Sequence, residues 1–375
     1  MRALFFFFFF LWFFCSVLFI RPCVHARILA EYSLAAVQPA TVEYDDVSNA
    51  TWQDFTRFLD AGVGAHVVGM SELKRYFSRF GYLSPLPAAE NLTDVFDGNF
   101  ESAVVRYQNK LGIPVTGKLD AGTISAIMAP RCGVSDEDGH GGGGGYHSLR
   151  ATRHYAYFYG RPRWGRGSPS TLTYAFSPNN TVSYLDPGDV RATFRRAFSR
   201  WSAVIPVSFE EVEYNGAADI RIAFYRGAHG DGEPFDGVLG VLAHAFSPEN
   251  GMFHLDGAER WSVDFRKEKS KAAVDLESVA THEIGHILGL SHSSVKEAVM
   301  YPSLSPRTTK AELRIDDVEG VQALYGSNPN FKLSSLLESE NSSNHGGAGL
   351  RGIRRFSAAA AMWTAAVVLA LLSCP

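Results

Sequence analysis

His282-Glu283-Ile284-Gly285-His286-Ile287-Leu288-Gly289-Leu290-Ser291-His292 is the stretch on which the reading of this chain turns. Helix residues four apart share a face, so His282 and His286 can hold one metal through their ring nitrogens. Glu283 stands beside the first of them and can reach a water there. Gly289 permits a left-handed residue that ends the helix, and the returning chain can supply His292 as a third nitrogen. Three protein ligands leave a fourth position open, as catalytic rather than structural sites do. Zinc suits these donors. It would lower the pKa of water toward ~7 and polarise a carbonyl, with Glu283 as general base.

The two ends read as addresses. Arg2 precedes an apolar run from Phe5 to Ile20, and Val24-His25-Ala26 offers small residues for cleavage, so residues 1–26 read as a secretory signal peptide. An uncleaved anchor is the alternative, but a span needs ~20 apolar residues. Near the other end, small residues (Ser342, Ser343, Gly346, Gly347) precede Arg351, Arg354, Arg355 and a short apolar tail. This order reads as a GPI-anchor signal over 351–375, with a transmembrane helix as the alternative. Residues 331–350 read as a polar stalk. Sequons at Asn49, Asn91, Asn179 and Asn341 suit glycosylation of an extracellular protein. If both ends are removed, Cys132 is the one cysteine left of four. It cannot form an internal disulfide. Its surroundings, Pro130-Arg131-Cys132-Gly133-Val134-Ser135-Asp136, read as loop. A thiolate is a good metal ligand.

Of the 375 residues, 46% are apolar and 20% charged, an ordinary globular balance that excludes a mostly disordered chain. The net charge is −4, from 35 basic and 39 acidic side chains, so no basic excess points to nucleic acid. Residues 51–129 read as a small three-helix domain: Leu73, Tyr76, Phe77 and Phe80 keep helical spacing, as do Phe100, Val104, Tyr107 and Leu111. The glycine run of 138–145 reads as a linker. Strands are expected at 171–176, 206–212, 219–225 and 241–246. Helices are expected after Asp186-Pro187, at 273–290 and at 316–325, the last ended by Gly326. This order is that of an α/β or α+β fold, and α+β is the class expected.

His229, Asp231, His244 and His254 offer four N/O ligands with no open position, the composition of a closed structural zinc site. Asp236, Asp256 and Glu259 are hard oxygen donors suited to calcium. Met300, in Ala298-Val299-Met300-Tyr301-Pro302, follows the zinc motif at the distance of a Met-turn.

On these motifs the sequence, over roughly residues 50–326, resembles the matrixins, the matrix metalloproteinase family of metzincins. The closer likeness is to plant-type members without a hemopexin domain. The resemblance implies a propeptide over 27–150, with a peptidoglycan-binding-like helical domain. It implies a catalytic domain over 151–330, with a mostly parallel five-stranded sheet and three helices. Cys132 would be a cysteine switch that holds the catalytic zinc in a zymogen. Ser135 departs from the family's usual proline, while Arg131, Cys132, Gly133 and Asp136 fit. Two zinc ions and at least one calcium are implied, with the carbonyls of Gly237, Leu239 and Val241 joining the calcium acids. A second calcium site looks impaired, since Met252 and Gly257 stand at positions that are acidic in relatives. Substrate would pair with the edge strand 241–245, and its P1′ side chain, the first beyond the scissile bond, would enter a pocket walled by 301–304. Ser278 would leave that pocket open to a bulky apolar residue. The carboxylates of Asp316 and Asp317 could cap the last helix or, by resemblance, bind a new N-terminal amine.

The expected function is a secreted, GPI-anchored zinc endopeptidase acting on extracellular proteins or peptides after an activating protease cuts between Gly139 and Tyr155. A non-catalytic cell-surface binding protein on the same scaffold is the alternative. It is weakened because Glu283 and all three histidines are present. A third reading makes 51–129 a glycan-binding module.

Overall fold

The computed structural model describes residues 53–83, 92–136, 155–165, 167, 170–214, 216–334 and 336. The expected leader, the glycine run, the tail and the sequons at Asn49, Asn91 and Asn341 lie outside them. So does the expected activation cleavage, apart from Tyr155.

The first described part is helical. A 3-10 helix at Gln53–Phe58 precedes α1 (Met70–Arg79), α2 (Gly98–Lys110) and α3 (Ala121–Ile127). Asp97 and Asp120 cap α2 and α3, accepting from the Phe100 and Thr123 amides at 2.8 Å each. The expected apolar stripes face inward: Leu73, Phe77, Phe100, Val104 and Tyr107 are fully buried in one core.

The second part is built on a sheet. Its strands are β3 (Ser170–Phe176), β4 (Val207–Glu211), β5 (Ile220–Tyr225), β6 (Val241–Ala245) and β7 (Met252–Asp256). β3 runs parallel to β4 and β5, β5 parallel to β7, and β6 antiparallel to β7. α4 (Pro187–Ser202) makes the crossover from β3 to β4; Asp186 caps it and Pro187 opens it. Its buried face, Val190, Phe194, Ala197, Phe198 and Trp201, is the one expected. Two further helices follow, α5 (Leu276–Ile287) and α6 (Ile315–Tyr325). Trp201 donates its indole N–H to the Thr281 carbonyl at 2.9 Å, which ties α4 to α5.

Three details differ from the sequence reading. Cys132 is not in a loop: Arg131 and Cys132 form β1, parallel to β6 and the sixth strand of the sheet. Pairing with a distant edge makes this strand, which Pro130 and Gly133 disguise locally. Met252–Asp256 is a strand absent from those expected from the sequence. The helix expected over 273–290 is shorter at both ends. Val274–Asp275 (β9) pairs with Trp261–Ser262 (β8), and the Asp275 carboxylate caps α5 through the Ser278 amide. At the other end Gly289 takes φ +102°, where a Cβ would run into the Pro162 carbonyl. Leu290–Ser291 (β10) then pairs with Ala156–Tyr157 (β2). Among the described residues no helix is long and apolar enough to cross a membrane.

Candidate active site and metal centres

α5 carries His282, Glu283 and His286, and β10 delivers His292 from the turn at Gly289. The Nε2 atoms of His282 and His292 lie 3.1 and 3.2 Å from that of His286, and the Cys132 sulfur is 3.4 Å from the same atom. Nitrogens sharing one tetrahedral zinc at 2.0–2.1 Å stand ~3.3 Å apart, so the spacing fits a single ion. The outward-facing ring nitrogens have partners of their own. Nδ1 of His282 meets the Val299 carbonyl at 2.7 Å, His286 the Leu290 carbonyl at 2.8 Å, and His292 the Asp136 carboxylate at 2.6 Å. Such contacts fix the tautomer and aim each Nε2 lone pair inward.

Glu283 is fully buried, and neither of its oxygens has a hydrogen-bond partner. Burial pushes its carboxyl up to about 8. Burial and the nearby Glu283 charge push the Cys132 thiol well above its ordinary value. A cation between these groups acts in the opposite direction on both.

Met300 is buried against α5, and a Cβ on Gly285 would collide with its sulfur. The Asp317 carboxylate accepts the Val299 and Met300 amides at 2.9 and 3.0 Å. It also accepts the Arg314 amide at 2.8 Å, so it caps α6 and pins the Met300 turn together. Asp316 instead accepts from the Ser293 hydroxyl at 2.6 Å. Gly285→Ala is therefore expected to destabilise the chain by ~1–3 kcal/mol through overpacking. A denaturant midpoint equal to wild type would show that Met300 moves aside at no cost.

The helical part reaches into this centre. The Arg131 amide bonds to Gly240 at 3.0 Å and the Gly133 amide to Ala243 at 2.7 Å, along the β6 edge. On the opposite wall the Cys132 amide bonds to Pro302 at 2.8 Å and the Leu304 amide to Pro130 at 3.0 Å. The segment thus fills the cleft expected to take substrate. Arg131 and Asp136 are buried and paired at 2.7 Å. The Arg131 guanidinium stacks 3.6 Å from the Phe80 ring, and Tyr82 donates to Asp136 at 2.7 Å. The Arg131 charge, with the His292 contact, holds the Asp136 carboxyl well below the usual range despite burial.

A second cluster joins His229, Asp231, His244 and His254. One Asp231 oxygen lies 2.8 Å from each of the three rings, and all four ligand atoms are within 4.8 Å of one another. Burial pushes His244 down to about 4, so it is neutral and able to ligate at neutral pH.

The expected calcium acids gather around one loop. Asp256 accepts the Gly237 amide at 3.1 Å, Glu259 the Leu239 amide at 2.6 Å, and Asp236 the Val241 amide at 2.7 Å. Leu239 is held at φ +63° in this loop. Burial, with neighbouring carboxylates, pushes Asp256 up to about 6 and Glu259 well above its usual value. Glu259 also keeps one buried oxygen without a partner.

Elsewhere on the surface, Asn179 is exposed on the bend after β3. A cavity of about 840 Å³ at the ends of β3, β4 and β5 is lined by no histidine or cysteine.

The sequence reading missed the groups that orient the ligands: the Val299 and Leu290 carbonyls, and Asp136 as partner of His292. Backbone acceptors leave no sequence signal. Asp136 stood in a recognised motif, but its contact with His292 spans 156 positions.

Comparison with known proteins agrees with this architecture. A family model described as Matrixin matches residues 163–326, and a peptidoglycan binding domain model matches 68–127. "Metalloendoproteinase 1-MMP" of Arabidopsis thaliana is 57% identical over 307 residues, 80% of this chain and 80% of the relative. "Metalloendoproteinase 4-MMP" of the same plant is 58% identical over 277 residues, covering 74% and 78%. "Metalloendoproteinase 1" of Glycine max is 42% identical over 275 residues, covering 73% and 87%. Fold and relatives together define a zinc metalloendopeptidase. The chain belongs to the matrixin family.

Proposed function

We propose that this metalloendopeptidase is made as a latent zymogen, secreted, and held at the cell surface by a GPI anchor. On this reading His282, His286 and His292 hold the catalytic zinc, and Cys132 occupies its fourth position until the propeptide leaves. When bound, zinc supplies Lewis acidity to the scissile carbonyl and to the attacking water. Glu283 takes the water proton and passes it to the leaving amine. The β6 edge pairs with an extended peptide, and the cavity beside Glu283 takes the P1′ side chain. His229, Asp231, His244 and His254 hold a structural zinc. Asp236, Asp256 and Glu259, with the carbonyls of Gly237, Leu239 and Val241, hold calcium. Substrates are extracellular proteins or peptides, an activating protease cuts within 139–155, and Asn179 carries a glycan.

The convergence of three Nε2 atoms and the Cys132 sulfur beside Glu283 carries this reading. Its test is hydrolysis of a quenched peptide before and after a thiol-reactive mercurial. The expected result is little activity before, a large rise after, and loss with a zinc chelator. Full activity without the mercurial would keep the enzyme and remove the switch.

A further inference from the structure

The loop between β8 and β9 takes part in neither metal centre. With Arg260 before it and Arg307 packed on it, it gathers six cations: Arg260, Arg266, Lys267, Lys269, Lys271 and Arg307. Against them stand two carboxylates, Asp264 and Glu268. The chain as a whole carries a net charge of −4, so this positive surplus is local.

Both carboxylates are already engaged. Arg260 holds Glu268 at 2.6 Å, and Arg266 holds Asp264 at 3.0 Å. Glu268 also accepts the Ser270 amide at 2.8 Å. These two acids are only 16% and 22% exposed, so little of their negative charge faces water. Lys267, Lys269 and Lys271 are exposed, and Glu268 and Ser270 are half-buried between them. Lys267 adds to the field at Asp264, but none of the three lysines joins an ion pair among the described residues.

Arg307 holds the loop in shape. Its guanidinium donates to the Glu268 carbonyl at 2.8 Å and to the Ser270 and Phe265 carbonyls at 3.1 Å each. It lies 4.6 Å from the centroid of the Phe265 ring, and its own amide bonds to the Ala273 carbonyl at 2.8 Å. Carbonyls satisfy its N–H groups without neutralising its charge. The three lysines therefore stand on a backbone that is already ordered, which lowers the entropy lost on binding.

The form of this surface indicates its partner. The guanidinium forks, which could clasp one planar anion, are occupied. What remains free is lysine, a point charge on a flexible stem. Residues two apart in extended chain are at most ~7 Å apart, so the three ammoniums follow a sparse line. A polymer with a single charge on each unit meets such a line in any register. A membrane surface is matched less well, because membrane-seeking segments add apolar side chains that enter the lipid. No large apolar side chain of this loop is exposed, and Phe265 is half-buried beside Arg307.

We propose that the loop between β8 and β9 is a binding site for a linear acidic polysaccharide bearing a carboxylate on each sugar. The inference does not depend on the active site assigned above. It adds a second binding function, displayed while the propeptide is still in place.

The test is retention of the full chain on immobilised polygalacturonate, with heparin, dextran and phosphatidylserine vesicles as parallel probes. At about 0.05 M salt, where charges act over more than ~10 Å, the wild type is expected to bind polygalacturonate and to pass dextran. Raising the salt to about 0.5 M is expected to release it. Changing Lys267, Lys269 and Lys271 together to Gln is expected to raise the apparent Kd about tenfold or more, the combined effect of three exposed ion pairs. A control changes Arg75, Lys118 and Lys332 to Gln, which removes the same net charge from exposed positions elsewhere. It is expected to bind as the wild type does. Equal weakening in the two triple variants overturns the inference, and so does a wild type that passes polygalacturonate. Binding to heparin or to the vesicles without binding to polygalacturonate overturns the class of partner. Mercurial-activated hydrolysis of a soluble peptide is expected to be the same in all three proteins, so a failure here leaves the active site standing.

Discussion

Glu283→Ala is expected to abolish measurable peptide hydrolysis while leaving bound zinc unchanged. Glu283 donates nothing to the proposed ligand set, because the three ring nitrogens come from His282, His286 and His292 and are aimed by Val299, Leu290 and Asp136. What it offers is a fully buried carboxylate with two unpaired oxygens next to those nitrogens. Losing a general base costs ~10²–10⁴ in rate. The same burial predicts a second readout. The oxygens have no well-formed hydrogen bonds to lose, and a buried polar group without them is costly to keep. The thermal midpoint of the alanine variant is therefore expected to equal or exceed that of wild type. Metal analysis, kinetics and a melting curve on one preparation check all three. Unchanged turnover would remove Glu283 from the mechanism.

Asp136→Ala is expected to release latency as effectively as Cys132→Ser, although it leaves the thiol in place. The Cys132 strand is held from both walls of the cleft, but its place beside the three histidines also depends on Asp136. That carboxylate joins Arg131, Tyr82 and His292 in one buried cluster. Removing one partner of such a pair costs ~3–5 kcal/mol because the other charge stays buried. This is a large part of the ~5–15 kcal/mol that holds an ordinary domain folded. Arg131, stranded against Phe80, would pull the strand out rather than remain dry. The expected result is peptide hydrolysis without mercurial in both variants, at a rate at least about ten times that of the unactivated wild type, the factor that ~1.4 kcal/mol provides. A fully latent Asp136→Ala zymogen would confine the switch to the sulfur.

α5 was legible because the proposed metal chemistry constrains close spacing. His282 and His286 must be four apart on a helix, and the turn at Gly289 must be glycine or cost strain. The stripe from Val190 to Trp201 was legible for the same local reason. β7 was harder: four of its five residues are buried, so no alternation separates a strand from other buried sequence. β1 was illegible because it becomes a strand only by meeting the distant β6.

The pairing of β1 with β6 also bears on how such a chain can be kept out of trouble before it is needed. An open sheet margin invites any extended polypeptide, including other copies, and natural sheets blunt or cover it. Here the covering strand and the sulfur-bearing strand are the same two residues, Arg131 and Cys132. On the proposed zymogen reading, latency and protection from clumping are acquired together and surrendered together. A freshly unmasked molecule trades a closed margin for an inviting one, and an extended peptide is what closes it again.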